Sequence, residues 1–425
     1  MKPEEPLAKL RETLVQSYGN HAIAPGEANY IDRHLRRYAQ TLKFLPDRPG
    51  ALLDVGCFPG HTSLLAAAQG WSVVGVSRFD GVFLTAAFAE RMKEQGIAVL
   101  NADVERDRIP VGDETFDCVF FNEIVEHLPF NPFHALDEVW RVLKPGGRLV
   151  FSVPNFASFD HLWALLRVRS FYPDLARPLE DAFHADIGQR HIREYTPGEC
   201  RHLLEEQDKY LYRFAIERIV MDRSWDGIFY TEQGEQPALS KIRPGTVLRA
   251  LVTRLCPRFR SNIVVLAGKP RNYVRLPASA IQAEGFHPPE SSGVSASFLR
   301  NPLQASWMTA SAKLHLEIPS AVRSVTQIEL LVWMPAPLAA GALKLTPSVA
   351  GMGCETLTVR PSSEPVRRVI RFPKPVPFAD ARRTLTIDLT STVWSPKSLG
   401  FAGDDRTLGP MIALEQAAVV AGQVA

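Results

Sequence analysis

The chain has 425 residues, of which 46% are apolar and 22% charged, and its formal net charge is +2. That length accommodates two or three domains, and the composition is that of an ordinary globular protein. A balance so near neutral gives no argument for a nucleic-acid partner, and the basic clusters at 33–37 and 241–260 read as solvated helix faces.

The five cysteines are scattered and form no Cys-x-x-Cys pair, so neither a disulfide framework nor a zinc knuckle is signalled. Scattered thiols suit a reducing, cytoplasmic setting. The first residues lack the apolar core of a signal peptide, and no run of about 18 apolar residues reads as an integral membrane segment.

In chain order, Leu7, Leu10 and Leu14, then Ile31, Leu35, Tyr38, Leu42 and Leu45, recur at helical spacing. They predict a helical lead-in over 7–45, with Asn29 as a candidate N-cap. The lead-in either covers a sheet edge or sets Tyr30, His34 or Arg37 over a ligand pocket. Next comes the stretch that organises the chain, Ala51-Leu52-Leu53-Asp54-Val55-Gly56-Cys57-Phe58-Pro59-Gly60-His61-Thr62. An apolar run ends in an acid and two glycines and then enters an Ala/Leu-rich helix, the pattern of a buried strand turning sharply into a helix. Such a turn brings backbone close to a ligand, or is simply a tight connection.

From 51 to 154 strand and helix patterns alternate, with strands expected at 51–55, 71–76, 98–100, 118–122 and 148–153. Alternation with short loops means βαβ units and a parallel sheet, and the apolar run Phe116-Asp117-Cys118-Val119-Phe120-Phe121 fits a strand covered on both faces. Ligands of such sheets bind beyond the carboxyl ends of the strands. Polar residues recur at those ends: Ser77, Arg78 and Asp80; Asp103; Asn122, Glu123, Glu126 and His127; and Asn155. Their joint placement favours a binding cleft.

Leu53-Asp54-Val55-Gly56-x3-Gly60, Asp103-Val104, Asp113-x2-Phe116-Asp117, Glu123-x2-Glu126-His127-Leu128 and Arg141-Val142-Leu143-Lys144-Pro145-Gly146-Gly147 together resemble a class I S-adenosylmethionine-dependent methyltransferase over residues 28–269. The resemblance implies an α/β fold, a doubly wound seven-stranded Rossmann-like sheet, with S-adenosyl-L-methionine as cofactor. It implies that Gly56 and Gly60 pass under the methionine end, that Asp54 orients the amino group, and that Asp103 and Val104 lie at the adenine. It puts Asn122 near the transferable methyl. Ser77 stands where the family usually has an acid for the ribose hydroxyls. A hydroxyl binds them more weakly than a carboxylate, unless Asp80 reaches back. The loop is Gly-x-x-x-Gly rather than the Gly-x-Gly-x-x-Gly of dinucleotide folds, which argues against a nicotinamide enzyme.

His127 is a candidate general base, with Glu126 beside it; the bland reading is that the pair braces the next helix. Similar methyltransferases carry a His-x-x-x-Tyr-Thr segment that lines the acceptor pocket. The resemblance therefore makes His191 a candidate for proton removal and Tyr195 for acceptor contact, beside Tyr30. His184, Asp186 and His191 match no metal-ligand spacing, so no metal is expected. Thr196 and Pro197 read as the N-cap and first residue of a helix.

Residues 270–292 have linker composition. Beyond them the period becomes two, as in Lys313-Leu314-His315-Leu316-Glu317-Ile318, and short strands with proline-rich turns predict a C-terminal all-β sandwich over 293–425. This tail loosely resembles modules on enzymes of bacterial surface-polysaccharide assembly, through Phe286-x-Pro288-Pro289-Glu290, Trp307, Trp394-Ser395-Pro396 and Asp404-Asp405-Arg406-x-Leu408-Gly409. Trp307, Trp394, Asp404, Asp405 and Arg406 form either a sugar-binding face or sandwich core and a braced turn. The expected function is methyl transfer to a hydroxyl of a sugar or glycan intermediate. The alternatives are a quinone or other small-molecule O-methyltransferase, and a glycan-binding scaffold with a degenerate cofactor fold.

Overall fold

Strand and helix alternate through the first half as the apolar pattern requires. The computed structural model describes residues 7–19, 21, 23, 25–78, 86–129, 131–169, 191–222, 244–291, 304–335, 337, 340–362, 364–378, 383–401 and 403–424. They divide into two units, 1–205 with 214–269, and 206–213 with 270–425.

The first unit is built on strands β1 Ala51–Val55, β2 Ser72–Ser77, β3 Ala98–Asn101, β4 Phe116–Asn122, β5 Leu143–Pro154, β6 Ala215–Asp222 and β7 Asn262–Gly268. They form one sheet of order β3-β2-β1-β4-β5-β7-β6. The first five strands are parallel, and β7 inserts antiparallel between β5 and β6. The sheet reverses direction between β1 and β4, which leaves a crevice at their carboxyl ends. Phe116, Cys118, Val119, Phe120 and Phe121 are at most 2% exposed, as a strand covered on both faces must be.

Eight helices of this unit are described: α1 Leu7–Ser17, α2 Pro25–Lys43, α3 His61–Ala68, α4 Ala86–Glu94, α5 Pro132–Val142, α6 Phe159–Leu166, α7 Pro197–Arg201 and α8 Pro244–Leu255. Helix α2 corrects the expected N-cap at Asn29. It starts at Pro25, whose fixed φ suits a first helical position, so Asn29 lies inside it. Thr196 and Glu199 form a reciprocal capping box on α7. Leu10, Leu14, Tyr18, Ile31, Leu35, Tyr38 and Leu42 are buried against Leu64 and Leu65 of α3, so the lead-in does cover the sheet.

Several motif residues prove to be structural. Arg141 spreads over Glu138 (2.7 and 2.8 Å), Asp113 (2.7 Å) and the Ile109 and Val111 carbonyls, while Glu138 accepts the Ile109 N–H. Lys144 reaches Asp117, which also accepts the Ala51 N–H and so ties the start of β1 to β4. Gly146, with φ of 80°, donates its N–H to Lys269 O, and β5 already begins at Leu143 rather than after the glycines.

The second unit is all β: β8 Tyr273–Pro277, β9 Ile281–Phe286, β10 Glu290–Ser291, β11 Gln304–Glu317, β12 Val322–Trp333, β13 Leu343–Val349, β14 Met352–Gly353, β15 Leu357–Val359, β16 Val366–Pro377, β17 Thr384–Ser391, β18 Met411–Ala413 and β19 Gln416–Val424. The reading of 270–292 as linker is thereby corrected. Its prolines bound strands instead of interrupting them: Pro277 ends β8, which among the described strands pairs with β19 alone, and Pro288 and Pro289 separate β9 from β10. Strand β11 links two halves, its start pairing with β18 and its end with β17. In β13 burial alternates residue by residue, while the last six residues of β12 are all buried. Trp307 is 5% exposed. Arg406 is held by Asp404 and Glu290, and Glu290 also accepts the Trp307 indole N–H, so this polar group braces a turn.

Arg141→Ala leaves the buried Glu138 carboxylate without its cation and is expected to cost about 3–5 kcal/mol in denaturant unfolding. Lys144→Ala breaks a half-exposed pair and should cost less than about 1 kcal/mol.

Candidate functional site

Strand β1 is 5 residues long and delivers Asp54 and then Gly56 to the carboxyl edge of the sheet. Gly56 has a φ of 70°, and both its N–H and that of Cys57 donate to Val76 O. A Cβ there would fall 2.0 Å from Ile124 Cδ1, so the turn after β1 is closed against the end of β4 by the absence of a side chain. Asp54 is 5% exposed and accepts the Ser63 hydroxyl at 2.6 Å. Burial raises its carboxyl from 3.8 to about 7, and the Ser63 hydrogen bond offsets only part of that. Around this turn lies a cleft with about 420 Å³ of open space, mouth included; Asp54, Gly56, Asn122, Arg37, Tyr38 and His61 are among its walls.

Three of those walls come from the helical lead-in and the start of α3. His61 is 1% exposed and stands between two phenols, Nε2 2.8 Å from Tyr18 Oη and Nδ1 2.9 Å from Tyr38 Oη. Tyr18 donates to Glu27, and Arg91 lies over the Tyr18 ring at 4.2 Å, 3.3 Å from Glu27, with a bond to Pro59 O. His61, then Tyr18 and Arg91, hold the Glu27 carboxyl down at about 2, while burial lowers the His61 imidazole. One network therefore locks α1, α2, α4 and the turn before α3 together. Tyr30 stacks on His34 with centroids 4.0 Å apart, and its hydroxyl accepts from Arg37 at 3.4 Å. Burial pushes the His34 imidazole down to about 3, and its Nδ1 bonds Tyr30 O. The sequence left Arg37 either on a covering helix face or over a ligand pocket; the fold sets it in the cleft wall, 4.0 Å from Glu123.

Asn122 closes β4, and neither its amide oxygen nor its amide nitrogen has a hydrogen-bond partner among the described residues despite full burial of both atoms. Glu123 follows with φ of 56°, a left-handed conformation rare for a residue with a side chain. Ser152 Oγ (2.7 Å) and Asn262 Nδ2 (3.1 Å) hold its carboxylate there. The chain then makes a short 3₁₀ turn, Val125–His127. Glu126 is fully buried and both its carboxylate oxygens lack hydrogen-bond partners. Burial, reinforced by the Glu123 charge, holds its carboxyl well above the ordinary range. The expectation that Glu126 braces the next helix is corrected: Asn131 caps α5, accepting the His134 N–H at 3.1 Å.

The backbone N–H groups of Ile192 and Arg193 donate to Glu126 O, which brings the His191 segment against this turn. The rings of His127 and His191 meet edge-on with centroids 5.0 Å apart, so the structure brings the two expected bases together. Behind them Glu194 Oε1 bonds His191 Nδ1 at 3.1 Å, while its other oxygen lies 3.2 Å from His161 Nδ1, which bonds Phe156 O. Tyr195, expected at the acceptor, is instead 5% exposed, and its hydroxyl donates to Val125 O at 3.5 Å. Burial pushes that phenol up to about 12, and its place is that of a brace under the histidine segment.

The other expected cofactor residues are not all in the cleft wall. Gly60, φ 90°, begins α3, and a Cβ on it would strike Met92 Sδ at 2.6 Å, so α4 packing accounts for it. Ser77 ends β2, its carbonyl accepting the Ala102 N–H. Asp103 folds onto its own turn, accepting the Glu105 N–H and lying 3.5 Å from Arg106; Val104 follows it in the same turn. Asp80, His184 and Asp186 fall outside the described residues.

A family model described as a methyltransferase domain matches residues 29–209. The ubiquinone/menaquinone biosynthesis C-methyltransferase of Geotalea daltonii is 30% identical over 37% of this chain and 68% of its own length. The ubiquinone biosynthesis O-methyltransferase of Pseudomonas fluorescens is 27% identical over 38% of this chain, which spans 64% of that relative. Among solved structures, Haemonchus contortus phosphoethanolamine N-methyltransferase 2 in complex with S-adenosyl-L-methionine aligns at 16% identity and a TM-score of 0.37, over 63% of this chain and 58% of that one. The sequence likeness falls on the strands and turns that build the cleft, and by it the chain belongs to the class I S-adenosylmethionine-dependent methyltransferases.

Proposed function

We propose that this chain transfers a methyl group from S-adenosylmethionine to a hydroxyl of a small-molecule acceptor, and that an acidic, phenol-like hydroxyl is the class it handles best. The cofactor, when bound, supplies a methyl group on a sulfonium, which already carries its own leaving group. The residues suit its amino-acid end. Arg37 offers a guanidinium to a carboxylate, Asp54 a carboxyl to an ammonium, and Asn122 an amide with no partner of its own. Gly56 keeps the floor of the cleft free of a side chain. What remains for the protein is to align the acceptor oxygen and to accept its proton.

The observation that carries this reading is the meeting of His127 and His191 just past Asn122. Imidazole and phenol ordinarily ionise within about 4 units of each other, near 6.5 and 10, so an imidazole removes a phenolic proton at modest cost. A sugar alcohol is a much weaker acid and asks more of the same base. One relative supports a hydroxyl acceptor, being by name an O-methyltransferase of ubiquinone biosynthesis, while the other is by name a C-methyltransferase of the same quinone class. The sugar reading rests on the tail resemblance, and there the Asp404–Arg406–Glu290 group is engaged in bracing a turn.

Purified protein incubated with S-adenosylmethionine should form S-adenosylhomocysteine on addition of catechols or hydroxylated quinone precursors. Turnover confined to nucleotide sugars or oligosaccharides would replace the phenolic class by the glycan one. His127→Ala and His191→Ala should each lower kcat by about 10²-fold with cofactor Kd nearly unchanged; a drop of less than a few fold in both removes the proton-transfer role. Asp54 gives a pH signature. Its carboxyl is raised from 3.8 to about 7 in the fold, so the cofactor-free chain binds a proton there that the unfolded chain has lost. The stability this group allows is full below about 3.9, declines as pH rises and is gone above 7. Asp54→Asn should therefore melt higher than the parent at pH 8 but not at pH 4, while binding cofactor at least tenfold more weakly by calorimetry.

A further inference from the structure

A line of hydrogen bonds runs from Glu27 through Tyr18 and His61 to Tyr38, and its last two members stand in the cleft wall. Charge fixes the direction in which its protons point. Glu27 is held ionised by His61, Tyr18 and Arg91, so it can only accept. Tyr18 has one proton and gives it to Glu27, and its oxygen therefore accepts from His61 Nε2 at 2.8 Å. A lone pair on Nε2 would also face the Glu27 carboxylate, 3.7 Å away, so the ring proton belongs on that nitrogen. His61 is 1% exposed, and burial favours its neutral form, which carries a single N–H. Its Nδ1 is then a bare lone pair, and it accepts the Tyr38 hydroxyl proton at 2.9 Å. We propose that His61 in this way holds the Tyr38 hydroxyl as a hydrogen-bond acceptor for the ammonium group of the cofactor. His61 is a positioning residue in this scheme, and Tyr38 is the group that touches the ligand.

The inference rests on the cofactor reading given above and adds to it what this chain does at the amino-acid end. A phenol whose own proton is taken can only receive one, so Tyr38 Oη repels a carboxylate and attracts an N–H donor. An ammonium carries three such donors, and Asp54 does not use them all. The neighbouring residue on α2, Arg37, has the opposite preference, and its guanidinium carbon lies 5.7 Å from the centre of the Tyr38 ring. Two consecutive residues of one helix thus sort the two charged ends of an amino acid. The direction of the chain is protected from water: Tyr18 is 1% exposed and Tyr38 is 3% exposed. Its far end is anchored as well. Arg91 lies 3.3 Å from Glu27 and bonds Pro59 O at 2.7 Å, which ties the chain to the loop after β1 that also walls the cleft. Helical spacing marked Tyr38 as a buried position, but it could not show that a histidine at the start of α3 takes its proton.

Calorimetry on the full chain compares S-adenosylhomocysteine, which has the amino-acid end, with methylthioadenosine, which lacks it. Tyr38→Phe keeps the ring and removes the acceptor. It should weaken S-adenosylhomocysteine about tenfold and leave methylthioadenosine within about twofold of the parent. His61→Ala frees the Tyr38 proton and should give the same selective loss. His61→Asn offers an amide oxygen near the place of Nδ1 and should recover most of it. S-adenosylmethionine shares the ammonium and should lose as much as S-adenosylhomocysteine; a loss confined to S-adenosylmethionine would place Tyr38 at the sulfonium and overturn the assignment. Equal losses for S-adenosylhomocysteine and methylthioadenosine would reduce both residues to fold support. No loss in Tyr38→Phe would remove the contact, and no recovery in His61→Asn would remove the role of His61. Each of these overturns the inference and leaves the cofactor reading standing. If His61→Ala fails to fold, as judged by circular dichroism, Tyr38→Phe carries the test. Absence of S-adenosylhomocysteine binding by the folded parent chain would bring down the cofactor reading and this inference together.

Discussion

Three carboxyl groups are withdrawn from water at the carboxyl edge of one parallel sheet, and much of the first unit is arranged in answer to them. Asp54 is the last residue but one of β1, and Glu123 and Glu126 follow β4, the two strands between which the sheet changes direction. Each is answered differently. Asp54 has a single hydroxyl donor and holds its proton until about pH 7. Glu123 has two donors and faces Arg37, at the expense of a left-handed backbone. Glu126 finds no hydrogen-bond partner for either oxygen among the described residues. Burial holds the Asp54 and Glu126 carboxyls above the ordinary carboxylate range.

The positive charges nearby belong to the lead-in helices. Burial works against the Arg37 charge, and Glu123 with the neighbouring tyrosines more than offsets it, so the guanidinium stays protonated in the cleft wall. The His61 network then joins α1 and α2 to α3 through two phenol–imidazole hydrogen bonds. The helical lead-in is therefore both a cover for the sheet and one side of the site.

The second unit has a different logic. Its antiparallel strands bury alternate residues around Trp333, Leu314, Leu316, Ile387 and Leu389, and its ionic group around Arg406 is satisfied internally. Residues 206–213 of the first half of the chain are counted within it.

The sequence alone determined the order of strands and helices, the parallel sheet and the positions of Asp54, Gly56 and Asn122, because these follow from local pattern: apolar runs of strand length, glycines at turns and acids at strand ends. It also marked His127 and His191 singly. Only the tertiary structure decided that these two rings meet beside an unanswered Glu126, that Tyr195 supports them from below, and that Arg37 and His61 belong to the cleft. It also turned the proline-rich stretch after Lys269 into strands. The reason is the same in each case. Periodicity tells which face of an element is buried, but not which distant segment is buried against it, and a site made of side chains from four or five segments exists only once those faces have met.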